Sequence, residues 1–401
     1  MRPLEGIRVC DFTWVWAGPF GTLQLAHLGA DVIKIESSKR LDTVRGLVPA
    51  DNQPGVNRAG YFNQYNQGKR SVALDLTTAE GKQIALELVA KSDVVAENFS
   101  AGVLERLGFG YEELRKVKPD IIVISLSGYG ASGPLSPYIS YGPAQVPMSG
   151  LAALTGYAGG PPMEVGISYG DPNAGIHGAV AILAALWHRQ RTGEGQFIDE
   201  SQWEAAIAVL PEGVMAQVMQ GEQPERAGNR DLLHAPHGIF RCAGDDAWVA
   251  LACRTEAEFA ALCRVIERPD LSADPRYATL AARKHNEDAL ESEISAWTRT
   301  RDRWQVAEAL QAASLAAHPA MTSADLVADP HLRARGIFVE LPHAEVGVRT
   351  HVGIPWHLSE TPCTVQVPAP LLGEHTDEVL RDVLGYADQP IERLRERGLF
   401  S

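Results

Sequence analysis

What this chain has little of narrows its chemistry first. Its five cysteines, Cys10, Cys242, Cys253, Cys263 and Cys363, are scattered, odd in number and without a C-x-x-C pair, which argues for reduced thiols and a cytoplasmic setting. No apolar run approaches the roughly 18 to 20 residues of a membrane span. Glu5 and Asp11 interrupt the N-terminal stretch where a signal peptide would be apolar, so neither export nor a membrane span is expected. Positive charge is scarce: 36 Lys and Arg against 50 Asp and Glu give a formal net charge of -14, which disfavours a nucleic-acid reader. The histidines form no H-E-x-x-H motif and no cluster with cysteine, so no protein-bound metal is expected. Gly68, Lys69 and Arg70 lack the earlier glycine and the following Ser/Thr of a phosphate-binding P-loop. Ser125, Ser127 and Ser149 all miss the G-x-S-x-G frame, so ATP-driven and serine-hydrolase chemistry both lose support.

What is present is ample apolar material, 45% of 401 residues, enough for two lobes. The first half alternates strands and helices, the pattern of an α/β protein with a mostly parallel sheet. Strands are expected at Ile7 to Asp11, Asp31 to Ile35, Arg70 to Leu76, Asp93 to Asn98 and from Asp120, with helices at Pro19 to Leu28 and, behind a Thr77/Glu80 capping box, up to about Lys91. Helices are then expected at about 174 to 190 and 201 to 218. GIFRCAGDDAWVALAC reads as a hairpin turning at Gly244 to Asp246, the start of a smaller α+β unit with helices at about 256 to 267, 285 to 299 and 302 to 313. The resulting division is residues 1–224 for the first part of a large domain, 225–325 for a small one, and 326–401 returning to the first, with an amphipathic helix near Glu378 to Leu384.

Asp171, in GISYGDPNAGIHGAVAILAALWHRQRTGEGQ, is placed where a glycine-containing loop becomes an apolar helix. With Pro172 at the first helical position it would be the N-cap, where free N–H groups and the helix dipole keep a carboxylate ionised, as a nucleophile requires. The plain alternative is a cap and nothing more. Trp14 and Trp16 follow the first strand, where α/β proteins build ligand crevices, and are equally readable as packing. Asn66, Lys69 and Arg70 read either as a solvated turn or as local positive charge for an anionic ligand. GYGASG, Gly128 to Gly133, matches G-x-G-x-x-G but opens no helix, so a dinucleotide site is not expected.

Blocks along the chain together carry a resemblance. PLEGIRVCDFTWVWAGPFGTLQLAHLGADVIKIE, NQGKRSVALDL, DVVAENFSAGVLERLGFGYEEL, SLSGYGASGP, GDPNAG, RTGEGQFID, DPRYATLAARKHNEDAL, DPHLRARGIFVE and APLLGEHTDEVL resemble, in order, the class III CoA-transferase family. That group includes formyl-CoA:oxalate and carnitine CoA-transferases and, as a divergent branch, α-methylacyl-CoA racemase. The resemblance implies a Rossmann-like large domain, a smaller domain and an interlocked ring-like dimer, either a homodimer or a heteromer with a paralogous subunit. It implies that Asp171 attacks an acyl-CoA thioester, passes through an anhydride and an aspartyl-CoA thioester, and hands CoA to an acceptor carboxylate without metal or nucleotide. CoA contacts are implied at Trp16, Ala17, Leu74, Asp75, Leu76, Thr77, Asn98, Phe99, Ser100, Arg106, Ile139, Ser140 and Tyr141. Trp14, Trp16, Gly170 and His237 are implied around the acyl group and acceptor, with Gly170 and nearby N–H groups as oxyanion donors.

Three departures from formyl-CoA transferase matter. Trp16 replaces a glutamine, Ser37 replaces a basic residue that Lys39 and Arg40 stand near, and LLHAPHGIF replaces a glycine-rich loop. They point away from oxalate, toward an apolar, branched or aromatic acid with a donor such as succinyl-CoA. A 2-methylacyl-CoA racemase or epimerase is disfavoured, because ISYGPAQ lacks the His and Asp of an acid/base pair. A non-catalytic CoA-binding subunit is disfavoured by Asp171 itself.

Overall fold

The structure is a computed structural model and describes residues 2–400. The chain divides into two compact units, one of residues 1–153, 164–223 and 331–401, the other of residues 154–163 and 224–330.

In the larger unit, β1 (Arg8–Asp11), β2 (Asp31–Glu36), β3 (Arg70–Ala73), β4 (Val94–Glu97), β5 (Ile122–Ser127) and β6 (Phe197–Ser201) form one parallel sheet in the order β3-β2-β1-β4-β5-β6. That is the strand order of a Rossmann-like, doubly wound fold, whose ligand crevice opens at the carboxyl ends of the strands where the order reverses, here between β1 and β4. Every residue of β4 and β5 is buried, as expected of strands covered on both faces. β6 escaped the sequence reading because two of the five residues of FIDES are charged and it shows no apolar run.

The helices of this part are α1 (Ala17–His27), α2 (Gly60–Tyr65), α3 (Ala79–Ala90), α4 (Val103–Leu107), α5 (Tyr111–Val117), α6 (Gly142–Met148), α7 (Leu151–Leu154), α8 (Gly170–Thr192), α9 (Gln202–Ala208) and α10 (Pro211–Gln220). α1 and α8 meet backbone to backbone: a Cβ on Gly175 would fall 2.6 Å from the Ala17 carbonyl oxygen, so only glycine permits the approach. The C-terminal segment buries Val379, Leu380, Ile391 and Leu399 in the same core as Leu74, Leu88 and Leu114.

Several expectations are corrected. α8 begins at Gly170, so Asp171 lies inside the first turn rather than at the cap, and Pro172 follows it at a position whose N–H would have no intrahelical partner anyway. Thr78, not Thr77, caps α3 by accepting from the Gly81 N–H at 3.0 Å, while the Thr77 hydroxyl is turned to Asp75 at 2.6 Å. The expected helix over 201 to 218 is broken at Pro211 into α9 and α10, because proline cannot supply the bond that would continue α9. Around Glu378 a single helical turn, Thr376–Glu378, widens into a π turn at Val379–Val383.

The smaller unit carries β7 (His237–Arg241), β8 (Trp248–Ala252) and β9 (Ala316–Pro319) in an antiparallel sheet. Helices Glu256–Val265, Glu287–Thr298 and Arg303–Ala312 share a core with it through Phe259, Leu290, Ile294 and Val306. The hairpin turns at the Gly-Asp-Asp site that its sequence marks.

Candidate active site

The loop between β1 and α1 is held from below by buried charge. Asp11, fully buried, accepts from the Thr13 N–H at 2.8 Å, the Thr22 hydroxyl at 2.8 Å and the Lys69 ammonium at 3.1 Å. Burial alone would push its carboxyl up, but Lys69, Lys34 and Thr13 together hold it below the usual carboxylate range. Lys69 is itself fully buried and also donates to the Pro19 carbonyl at 3.0 Å and to Asn66 at 3.0 Å. It is therefore a structural counter-ion, neither solvated nor free for an anionic ligand, which corrects both readings of that turn. Asp42 pairs with Lys34 of β2 at 3.3 Å and accepts from the Val15 N–H at 3.1 Å, fixing Val15 at φ +66°. Asn98, just after β4, accepts from the Trp14 N–H at 2.7 Å and donates to the Trp14 carbonyl at 2.8 Å. The loop at the strand-order reversal is thus clamped to both neighbouring strands.

Over that crevice lies a cavity of about 460 Å³. Of the residues expected at the site, Trp14, Leu74, Asp75, Leu76, Thr77, Asn98, Phe99, Ser100, Ile139, Ser140, Tyr141 and Asp171 line it together. Lys39 and Arg40 join them and supply its cations. Lys39 pairs with Asp75 at 2.6 Å, and the Lys39 and Thr77 bonds bring the Asp75 carboxyl down to about 2. The Arg40 guanidinium stacks over the Trp14 ring at 5.6 Å.

Asp171 is mostly buried at the edge of this cavity. Burial raises its carboxyl above the usual range against a hydrogen bond from Ser168, so the helix N-terminus does not depress it as the sequence suggested. The Ser168 hydroxyl donates to Asp171 Oδ2 at 2.5 Å, and Oδ1 has no such partner among the described residues. Ser168 takes φ +128°, a conformation costing a non-glycine residue on the order of 1–3 kcal/mol, which the surrounding fold must over-determine. Gly142, the first residue of α6, presses on this pair: a Cβ there would fall 1.9 Å from Ser168 Oγ and 2.1 Å from Asp171 Oδ2. Gln145 of α6 is fully buried beneath Gly170, donates to Gln202 at 2.9 Å, and leaves its own Oε1 without a partner.

A second wall is aromatic. Trp16 contacts Tyr61 and Tyr65 of α2, each with centroids 5.4 Å apart, and Tyr65 meets Phe20 at 5.8 Å. Both phenols are raised by burial first, Tyr65 to about 12; the charge of Asp171 adds to both, after Tyr65 in the case of Tyr61, so the carboxylate lies within electrostatic reach of these rings.

Trp16 therefore lies in the aromatic wall and outside the cavity lining. Ala17 is buried at the start of α1, and Arg106 is exposed on α4 with Nη1 over Gly102. Gly170 is buried against Gln145 and Gly142. His237 belongs to the smaller unit, where Nδ1 sits 2.6 Å from the Asn229 carbonyl oxygen and the residue lines a separate cavity of about 550 Å³. The sequence reading missed Ser168, Gly142, Tyr61 and Tyr65. Their types carry no motif, and only the fold gathers them around Asp171. GYGASG opens no helix; its Ala131 N–H donates to Asp199 of β6 at 2.6 Å.

A crevice at the strand-order reversal, lined by two cations and edged by an unpaired carboxylate oxygen, defines an α/β enzyme suited to a long anionic ligand. Residues 4–376 match the family model described as CoA-transferase family III, and the chain belongs to that family of enzymes. It is 34% identical to a formyl-CoA:oxalate CoA-transferase of Rhodopseudomonas palustris over 99% of this chain and 97% of the relative. It is 35% identical to one of Streptomyces avermitilis, over 99% of each. Among solved structures, a CAIB/BAIF family protein from Brucella suis matches with a TM-score of 0.88 at 31% identity, covering 95% of this chain and 99% of that one. Rv3272 of Mycobacterium tuberculosis matches with a TM-score of 0.80 at 29% identity, covering 94% and 98%.

Proposed function

We propose that this CoA-transferase moves CoA from an acyl-CoA donor such as succinyl-CoA to an apolar, branched or aromatic carboxylic acid through a covalent aspartyl-CoA intermediate on Asp171. The observation that carries this reading is the place of Asp171, which lines a cavity with cations and lies within electrostatic reach of Tyr61 and Tyr65 in an aromatic cluster with Trp16. The cavity takes the CoA portion, with Lys39 and Arg40 near its anionic groups, and the rings of Trp16, Tyr61, Tyr65 and Phe20 take the side chain of the acceptor acid. Desolvation makes the Asp171 carboxylate a stronger nucleophile than a hydrated one, and its free Oδ1 is the attacking atom. The second carboxylate of oxalate would meet no counter-charge at the rings. A panel of carboxylic acids assayed with succinyl-CoA tests the substrate class: activity with branched or aromatic acids is expected, and activity confined to small polar acids such as oxalate would overturn it.

The working assembly in this reading is an interlocked, ring-like homodimer. α10 supports it, since it buries no residue of its own chain yet exposes Val214, Met215, Val218 and Met219. Five unpaired thiols support a reducing, cytoplasmic compartment.

A further inference from the structure

The reaction uses the two oxygens of Asp171 differently, and the site distinguishes them. Resting on the aspartyl reading above, the first step has Oδ1 attack the donor thioester carbon; the C–S bond breaks, CoA leaves as thiolate, and an aspartyl-acyl anhydride remains. The thiolate then attacks the aspartyl carbonyl carbon itself. The C=O electron pair moves onto Oδ2, and its return expels the donor carboxylate, which departs with the oxygen that had been Oδ1, leaving an aspartyl-CoA thioester. The acceptor carboxylate attacks that same carbon next, loads Oδ2 again and expels thiolate. Thiolate attack on the acceptor's carbonyl finally frees Asp171. Twice in each turnover, therefore, a full negative charge develops on an oxygen of the enzyme's own side chain.

We propose that the Ser168 hydroxyl is the oxyanion donor for Asp171 Oδ2 in these two steps. It already donates to that atom at 2.5 Å, and it is 4% exposed, so the bond forms away from bulk water. Gly142 lies so close to both Ser168 Oγ and Asp171 Oδ2 that no larger residue fits beside their hydrogen bond, which leaves Oδ2 committed to Ser168 while Asp171 lines the cavity. The positive φ of Ser168 is what aims the hydroxyl, since this residue holds a backbone conformation that glycine would adopt without strain. A donor fixed before charge develops needs no reorganisation in the transition state, and losing one such donor costs about 10²–10³-fold in kcat.

The test is single-turnover formation of the aspartyl-CoA adduct from acyl-CoA, followed by intact-protein mass spectrometry in wild type, Ser168→Ala and Ser168→Gly across a pH series. The glycine variant relieves the backbone strain, so its melting temperature should equal or exceed that of Ser168→Ala. Both variants should form the adduct about 10²–10³-fold more slowly, with donor KM within about threefold of wild type. The loss should persist on the high-pH plateau. The Ser168 hydroxyl is the hydrogen-bonding group that acts on the Asp171 carboxyl, and the phenols of Tyr61 and Tyr65, on which Asp171 acts, are both raised, so they do not titrate below that plateau. Recovery of the wild-type rate at high pH would reduce Ser168 to a group that only keeps Asp171 ionised, and wild-type adduct rates in both variants would equally overturn the proposal. If wild type itself forms no adduct on Asp171, the aspartyl reading fails and this inference falls with it; an adduct in wild type with unimpaired variants removes the Ser168 role alone.

Discussion

The two walls beside Asp171 differ in kind. On the cavity side, Lys39, Arg40, Asp75, Thr77, Asn98 and Ser100 bring charge and hydrogen-bonding groups to the carboxyl ends of the strands. On the other side, Trp16, Phe20, Tyr61 and Tyr65 meet one another ring to ring, mostly edge to face. A single carboxylate between a polar groove and an apolar one can sort the two ends of an acyl-CoA before any chemistry, because burying the wrong end costs more than the right end gains. In the proposed reading, specificity and catalysis draw on separate parts of the fold: a groove built by β-strand ends, and rings supplied by the start of α1 and the two ends of α2.

The largest break in this comparison comes from removing its centre. Asp171→Ala is expected to lower kcat by at least about 10⁴-fold, as loss of a covalent nucleophile does, with KM for acyl-CoA little changed. Steady-state kinetics check it, and near-normal turnover would contradict it. Trp16→Ala should act on one side only, lowering kcat/KM for an aromatic or branched acid by about 10- to 200-fold relative to a small acid. Competition between two acceptors measures that ratio. Lys39→Ala and Arg40→Ala should act on the other side, raising KM for acyl-CoA several-fold with kcat retained and with an effect that shrinks in high salt, because the Lys39 side chain is largely exposed. Loss of acceptor selectivity in these variants would blur the division of labour.

The smallest expected effect is on stability, and its sign is specific. Burial raises the Asp171 carboxyl in the folded state, so the folded protein binds the proton more tightly than the unfolded chain and stability falls as pH rises through the window above the ordinary Asp value. Glu97, raised to about 7, and Glu200, raised to about 8, act in the same direction by the same cause. Asp171→Asn should therefore raise the melting temperature by roughly 1–3 °C at pH 8, with the gain fading below the ordinary Asp pKa of about 4. Thermal melts at the two pH values check this; a gain that grows in acid would contradict it.

Much of the groove side was legible in the sequence, because strand ends and the turns after them lie within blocks such as VCDFTW, VALDLTT and VAENFS. Alternating apolar runs mark the strands, and a parallel sheet must place their ends together. The aromatic side was legible only at Trp16. Tyr61 and Tyr65 follow a loop whose course is set by the buried Arg45–Glu36 pair, at 2.7 Å, and by Asp42 with Lys34, pairings that no local pattern announces. The same holds for Lys69, whose sequence setting suggests a surface turn and whose partner, Asp11, lies far off in the chain at the end of β1. Asp171 was found, but its electrostatics were misjudged. A start two residues earlier moves it off the cap, and desolvation then outweighs the helix terminus.

The most direct test of the central claim is incubation of the wild-type protein with acyl-CoA and no acceptor, followed by peptide mass spectrometry. The account predicts that the peptide containing Asp171 gains the mass of coenzyme A less one water, that the gain disappears on adding an acceptor acid, and that Asp171→Ala never shows it. An adduct on any other residue, or turnover with no adduct at all, would contradict it.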